Sequence, residues 1–279
     1  MAKLAGKRIL ITGGAHGIGH SMAGYFAKDG AVLILSDMDT AGLEKVAAEL
    51  SATGATVYTY TVDISKKDQV DKMAADVIAK LGGLDILINN AGIGHNGEIV
   101  ETPLATWEKL MAVNFWGTLY HVYAFLPHMI KAKSGHIVTV SSGQAFFRMP
   151  TWGPYSVIKL ALGAFSELLG IEMRKFGIKV TTVYPFMIRT GFYKEIEGDS
   201  LGAKLSMKLL PFYSQRADTV GKIVYKAVKK QKTVEMVHVI NALGFVTRAL
   251  PPVSYLVSHA ALMFLGKSRD DLMKDADIL

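Results

Sequence analysis

Apolar and polar positions along this chain fall into blocks of two kinds. Short apolar runs occupy 8–12 (Arg-Ile-Leu-Ile-Thr), 31–36, 56–62, 84–89, 136–141 and 179–184. Each is bounded by turn residues, and longer segments of helical period lie between them. Strands that are apolar on both faces and spaced by helices imply a parallel sheet covered on both sides. The expected fold is therefore α/β, a doubly wound parallel sheet. No internal repeat and no low-complexity segment interrupts the alternation. The first run is too short for the apolar core of a signal peptide, and no small-residue cleavage site precedes the glycines that follow it.

The last fifth of the chain has a different pattern. Between residues 233 and 266 only Glu235 and Arg248 are charged, and Pro251-Pro252 divides the stretch in two. The piece from 253 to 266 is shorter than the ~20 residues a bilayer core demands. Val253, Leu256, Val257, Ala260 and Phe264 fall on one helical face, as expected of a helix lying in a membrane surface, covering a pocket or packing on a partner subunit.

Composition narrows the classes. The chain has 279 residues, half of them hydrophobic and 20% charged, enough for one sizeable core in a single domain. The absence of cysteine excludes disulfides, thiolate metal sites and a cysteine nucleophile, and is compatible with a cytoplasmic location. The net charge of +7 is unevenly placed: residues 194–232 hold nine Lys/Arg against four Asp/Glu. That stretch suits a solvated helix face or anionic lipid heads. No nucleic-acid-binding motif accompanies it, so no nucleic-acid partner is expected.

The chemistry begins at Thr12-Gly13-Gly14-Ala15-His16-Gly17-Ile18-Gly19, between the first strand and the first helix. Glycines there permit a tight turn and let backbone N–H groups approach a pyrophosphate at the positive end of a helix. Asp37, at the end of the second strand, can accept hydrogen bonds from an adenine-ribose diol and repels a 2′-phosphate. NAD is thus the expected cofactor in preference to NADP, although His16 is placed to meet a phosphate. His16 and His20 have no third ligand at fitting spacing, and no metal is expected. Tyr155 and Lys159 share a helical face, where an ammonium lowers the pKa of a phenol from ~10 and poises it as a general acid or base. Ser141-Ser142, at the end of the preceding strand, brings a hydroxyl toward the same substrate oxygen.

These residues together resemble the short-chain dehydrogenase/reductase family over roughly residues 5 to 235. Residues 12–19 match its cofactor loop, with Gly13, His16, Gly17, Ile18 and Gly19 as binding positions. Val62-Asp63-Ile64 matches its adenine-contacting element, here Asp63 and Ile64, and Asn89-Asn90-Ala91-Gly92 its strand-four motif, here Asn90, Ala91 and Gly92. The segment from Tyr184 to Thr190 is similar to the family's nicotinamide-holding P-G-x-x-x-T, with Pro185, Ile188 and Thr190 in place. Phe186 stands where the family has glycine. The resemblance implies a Rossmann fold and a catalytic tetrad of Asn114, Ser142, Tyr155 and Lys159. Hydride would pass between nicotinamide and a carbinol or carbonyl carbon while Tyr155 exchanges the proton on oxygen. Ser142 would hold that oxygen, Lys159 would also bind the nicotinamide ribose, and Asn114 would anchor a water of the proton relay.

Phe146, Phe147, Met149 and Trp152, with Phe192, Tyr193, Leu209, Leu210, Phe212 and Tyr213, supply candidate walls for an apolar pocket. Ser142, Phe146, Trp152, Tyr155, Phe186 and Phe192 are the expected substrate contacts. The expected substrate is a hydrophobic secondary alcohol or ketone of steroid, retinoid or fatty-chain type. The tail is similar to those of lipid-associated retinol and 17β-hydroxysteroid dehydrogenases. Residues 1–235 are thus the expected catalytic domain and 236–279 a helical extension that covers the pocket, joins subunits or touches membrane peripherally. A homodimer or homotetramer is expected. Three alternatives stay open: a non-catalytic NAD-binding scaffold or sensor, a peripheral lipid-binding protein, and an enzyme of the same family acting on a small polar alcohol or polyol.

Overall fold

The structure, a computed structural model, describes residues 4–147, 149–189, 192, 205, 208–209, 214–248 and 250–265. Strands β1 (Arg8–Thr12), β2 (Val32–Asp37), β3 (Val57–Thr61), β4 (Ile86–Asn89), β5 (Gly135–Val140) and β6 (Ile178–Tyr184) lie in one parallel sheet. Among the described residues the two-residue strands β7 (Ile188–Arg189) and β8 (Gln215–Arg216) pair with each other, and β9 (Val234–Met236) returns to the main sheet beside β6. The order is β3-β2-β1-β4-β5-β6-β9. The winding reverses between β1 and β4, and in an open parallel sheet the crevice at such a reversal, beyond the carboxyl ends of the strands, is the natural ligand site.

Among the described residues the α-helices with described bounds are α1 (Gly17–Lys28), α2 (Thr40–Ser51), α3 (Lys67–Leu81), α4 (Leu104–Leu110), α5 (Gly117–Ala132), α6 (Gly153–Met173), α7 (Ala217–Lys229), α8 (Val239–Arg248) and α9 (Pro251–Leu265). The period of two in the strands assigns each side chain to a layer. Ile9, Ile11, Leu33, Leu35, Ile86, Ile88 and Val138 face one way, against Met22 and Phe26 of α1, Leu43 and Val46 of α2 and Val220, Val224 and Val228 of α7. Leu10, Ile34, Leu87 and Ile137 face the other, against Val70, Met73 and Val77 of α3, Val122, Phe125 and Met129 of α5 and Leu169 and Met173 of α6. Burying a side chain of this size contributes roughly 1.5–3 kcal/mol, so these two layers dominate the fold's stability.

At the amino ends of the two central strands Asp85 fastens the start of β1 to the start of β4. Its carboxylate accepts from Arg8 Nε at 2.7 Å, the Arg8 amide at 3.0 Å and Lys7 Nζ at 3.0 Å. Burial works to raise this carboxyl's pKa, and the Arg8 and Lys7 contacts overcome it, holding the group down at about 2. The six strands read from the apolar runs are all present within two residues of their expected limits. Strands β7, β8 and β9, of two or three residues each, carry no readable period and were not anticipated. The expected division after residue 235 falls inside β9. Among the described residues no helix is long and apolar enough to cross a membrane.

Two buried histidines make the fold sensitive to acid. His121 Nδ1 donates to the Gly117 carbonyl at 2.7 Å, which leaves Nε2 bare and without a partner. His136 Nε2 lies 2.7 Å from Thr181 Oγ1, and because that hydroxyl donates to the Lys232 carbonyl, the imidazole must be the donor. Burial lowers both to about 4, aided at His136 by Lys179. As pH falls, histidines of the unfolded chain take up protons near ~6.5, before the folded ones can. Stability should therefore decline between about pH 6.5 and 4. Urea titrations across that range should show the decline, and a His121→Gln, His136→Gln double variant should lose most of it.

Candidate active site

The carboxyl ends of β1 and β4 are joined by one hydroxyl. Thr12 Oγ1 accepts the N–H groups of Asn90 and Ala91, both at 3.0 Å, while Asn90 Nδ2 donates back to the Thr12 carbonyl at 2.9 Å. This cross-link holds the glycine loop against the 89–92 segment. Gly13 has φ +68°, and a Cβ there would stand 2.9 Å from Asn90 Nδ2; on Gly19 it would stand 1.9 Å from the Gly13 carbonyl oxygen. The loop's tight turn therefore requires glycine at both positions. Behind the 89–92 segment, Met111–Trp116 forms a wider, π-type turn. From it the fully buried Asn114 clamps Ile93: Oδ1 accepts the Ile93 amide at 3.0 Å and Nδ2 donates to the Ile93 carbonyl at 3.0 Å. A Cβ on Gly92 would lie 2.5 Å from that Oδ1, so this approach too depends on a missing side chain.

These segments enclose a cavity of about 360 Å³. At one end it is lined by Gly13, His16, Gly17, Ile18, Asp37, Met38, Val62 and Ile64. Along the middle come Asn90, Ala91, Gly92, Ile93 and Val113, and at the other end Val140, Ser141, Ser142, Tyr155, Lys159, Pro185, Phe186, Ile188 and Phe192. Most of the expected site residues thus meet in one space. Gly19 is buried behind the loop, and Asn114 lies behind Ile93. Asp63 caps its own turn, accepting from the Ser65 amide and hydroxyl, while its neighbours Val62 and Ile64 reach the cavity. Phe146 packs on Tyr184 and Phe245, with ring centroids 4.6 and 5.3 Å apart, and Trp152 packs edge-on against Tyr155. Neither lines the cavity. Thr190, Tyr193, Leu210, Phe212 and Tyr213 lie outside the described residues, as do the side chains of Val253, Val257 and Phe264.

At the Asp37 end, Oδ2 accepts the Ala15 amide and Oδ1 the Asp39 amide, both at 3.1 Å. His16 Nε2 lies 2.6 Å from Asp39 Oδ2, and His20 pairs separately with Glu49, so the two histidines are committed to different acids. At the other end Lys159 is buried, its Nζ donating to the Val140 carbonyl at 3.1 Å and standing 5.6 Å from the centre of the Tyr155 ring. Burial pushes its pKa down to about 8. Ser141 donates its hydroxyl to the Lys159 carbonyl at 2.7 Å, whereas Ser142 Oγ accepts the Gln144 amide at 3.2 Å. The adjacent loop carries strain: Thr151 has φ +68°, in a region that β-branched residues rarely occupy. The Gly97 amide and Asn96 Nδ2 latch its carbonyl and hydroxyl at 2.7 and 2.9 Å.

The short chain dehydrogenase family model matches residues 7–200. The chain belongs to the short-chain dehydrogenase family. Estradiol 17-beta-dehydrogenase 11 of Macaca fascicularis is 34% identical over 251 residues, covering 89% of this chain and 80% of that one. A probable oxidoreductase, EphD, of Mycobacterium tuberculosis is 33% identical over 87% of this chain, but the chain spans only 43% of its length. Among solved structures, a short chain dehydrogenase/reductase from Burkholderia phymatum in complex with NAD superposes with a TM-score of 0.80 at 24% identity, covering 91% of this chain and 93% of that one. NAD+-bound xylitol dehydrogenase does so at 0.76 and 22%, over 84% of this chain and 98% of that one. At those identities the likeness is one of fold.

Met38, Val62, Ile93, Val113, Val140 and Ser141 line the cavity without having been singled out as binding positions. Ser141 was visible as part of the serine pair. The others are apolar residues at strand ends, in loops or, for Val113, in the π-type turn, where no spacing distinguishes a cavity wall from core.

The buried ammonium has a measurable consequence. Lys159 in the fold loses its proton near pH 8, whereas an unfolded lysine keeps it to ~10.4. Over that window the unfolded state binds more protons, so stability rises with pH. Thermal midpoints of the cofactor-free protein should climb between about pH 8 and 10, and Lys159→Met should flatten the climb.

Proposed function

We propose that the chain is an NAD-dependent oxidoreductase that interconverts a hydrophobic secondary alcohol and its ketone. The observation that carries this reading is the meeting of Ser142, Tyr155 and Lys159 on the wall of a cavity whose neighbouring lining includes Phe186, Phe192, Ile188 and Ile93. An elongated space with a carboxylate at one end and this polar trio at the other fits a dinucleotide. Gly13, Gly17 and Ile18 at the start of α1 would hold its pyrophosphate, Asp37 its adenine ribose, and Tyr155 and Lys159 its nicotinamide ribose. When bound, the nicotinamide supplies or accepts the hydride.

The remaining work belongs to the protein. Ser142 holds the substrate oxygen by a hydrogen bond, and Tyr155 takes the hydroxyl proton in oxidation or returns it in reduction. The Lys159 ammonium, desolvated and within 5.6 Å of the Tyr155 ring centre, favours the phenolate. Burial strengthens that effect, since charge interactions grow as water is excluded. Phe192, with its ring 5.8 Å from that of Tyr155, and Phe186 offer the substrate an apolar wall. The relative named estradiol 17-beta-dehydrogenase 11 supports a bulky apolar substrate over a polyol.

Two surfaces support further partners. Tyr123 on α5 and Val157, Leu168 and Ile171 on α6 are exposed apolar side chains, suited to pairing with a second copy in a homodimer or homotetramer. In the tail, Val239, Leu243, Val246 and Leu250 recur at helical spacing with more than half their surface exposed, and Lys222, Lys226 and Lys230 lie exposed along and just past α7. Exposed apolar and basic surface of this kind suits peripheral contact with an anionic membrane, the role we propose for residues 236–279 beside covering the pocket.

Three measurements test the reading. With NAD and a panel of alcohols from polyols through octan-2-ol and retinol to hydroxysteroids, NADH formation should be confined to the apolar members. Turnover of polyols alone would reassign the substrate, and bound NADH with no turnover would favour the scaffold. Tyr155→Phe should lower kcat by about 10²–10⁴ while leaving NADH affinity near the wild-type value. Asp37→Ala should weaken NAD(H) by roughly tenfold or more and NADP(H) far less; equal losses for both would remove Asp37 as the ribose-diol acceptor.

A further inference from the structure

Helix α8 lies beyond the residues matched by the family model, yet its inner face packs behind the walls of the site. His238, just before it, stacks on Phe186 at 5.6 Å between ring centres. Phe245 meets Phe146 edge-on, and the place a Cβ would take on Gly244 is 2.5 Å from the Phe147 ring. Asn241 stands between them, with no exposed surface. Its Nδ2 donates to the Tyr184 carbonyl at 2.5 Å, immediately before Pro185. Its Oδ1 lies over Gly143, where a Cβ would come within 2.3 Å of it. The Gly143 amide in turn donates to the Pro185 carbonyl at 2.7 Å. One side chain therefore touches both backbone segments that flank the reacting end of the cavity, the loop that begins at Ser142 and the turn after β6.

Fold stability does not account for an asparagine here. Oδ1 is buried without a hydrogen-bond partner, and a buried unpaired oxygen is a cost that a leucine of similar volume would not carry. The Tyr184 carbonyl would not be orphaned by that exchange, because the Val237 amide also donates to it at 3.1 Å. What the amide does supply is a rigid spacer of fixed direction between α8, Gly143 and Tyr184.

We infer that Asn241 is a positioning residue, which fixes the Ser142–Gly143 backbone against the Pro185 turn and makes α8 part of the active site. It acts through Ser142, so the inference rests on the proposed role of Ser142 in holding the substrate oxygen. An oxygen holder displaced by a fraction of an ångström loses transition-state contact before it loses cofactor binding.

The test is Asn241→Leu in the full chain. Its thermal midpoint should match wild type. Amide hydrogen exchange at Gly143, Ala145, Phe146 and Phe147, all bonded within this loop or to Pro185, should accelerate about tenfold, while amides of residues 8–28 keep wild-type rates. With octan-2-ol and NAD, kcat should fall about tenfold or more with the KM for NAD unchanged. Wild-type exchange at 143–147 together with wild-type kcat would overturn the inference. So would faster exchange throughout the chain with a lowered midpoint, which marks a purely structural residue. Failure of the oxidoreductase reading has a separate signature: a wild-type protein that binds NADH and oxidises none of the alcohols. The exchange measurement decides the role of Asn241 in that case.

Discussion

One hydroxyl at the reversal of the sheet organises this molecule. Thr12 ends β1, and by accepting two amides from the segment after β4 it closes the seam where the two halves of the sheet diverge. A diverging pair of strand ends otherwise presents unsatisfied backbone groups beside a crevice. The cross-link satisfies them and leaves Gly13, Gly17 and Ile18 of the glycine loop on the cavity wall at the start of α1. Asn114, clamping Ile93 from behind, extends the same logic: backbone that lines the cavity is held from the side away from it.

The second organising feature is a charge kept where charge is costly. Lys159 is buried, with one donor engaged on the Val140 carbonyl, and burial lowers its pKa to about 8. At neutral pH it still holds its proton, so the cavity contains an ammonium weakly screened by water. The stability forgone in burying it buys a field at Tyr155 that an exposed lysine could not supply. The Ser141 hydroxyl, bonded to the Lys159 carbonyl, braces the helix that carries both residues. The neighbouring strain at Thr151, latched by Asn96 and Gly97, belongs to the same end of the cavity, where the fold departs from its lowest-energy backbone.

Much of this was legible in the residue order. The six long strands announce themselves because each is an apolar run with turn residues at its ends. The glycine loop and the Tyr155–Lys159 pair are legible for a related reason, since both are short-range patterns whose geometry follows from the turn or helix they sit in. Reading stopped where the partner is distant in sequence. Nothing in spacing separates Phe186, which lines the cavity, from Phe146, which packs on Tyr184 and Phe245. Nor does it tell that His16 turns to Asp39, twenty-three residues on. The short β9 carries no period, and the apolar stripe of the helix after it, Val239, Leu243 and Val246, lies exposed, so no pattern marked the buried Asn241 on its other face.

The sequence by itself determined the alternation of strand and helix, the glycine turn and the Tyr155–Lys159 pair, because each is encoded by neighbours within a few residues. Tertiary structure alone decided which of two adjacent serines spends its hydroxyl on the helix and which side of the sheet each aromatic ring covers. It also decided that a C-terminal asparagine would reach back across 57 residues to the Tyr184 carbonyl. Those outcomes depend on strand order and register, which bring remote segments to one end of the sheet, and no local spacing carries that information.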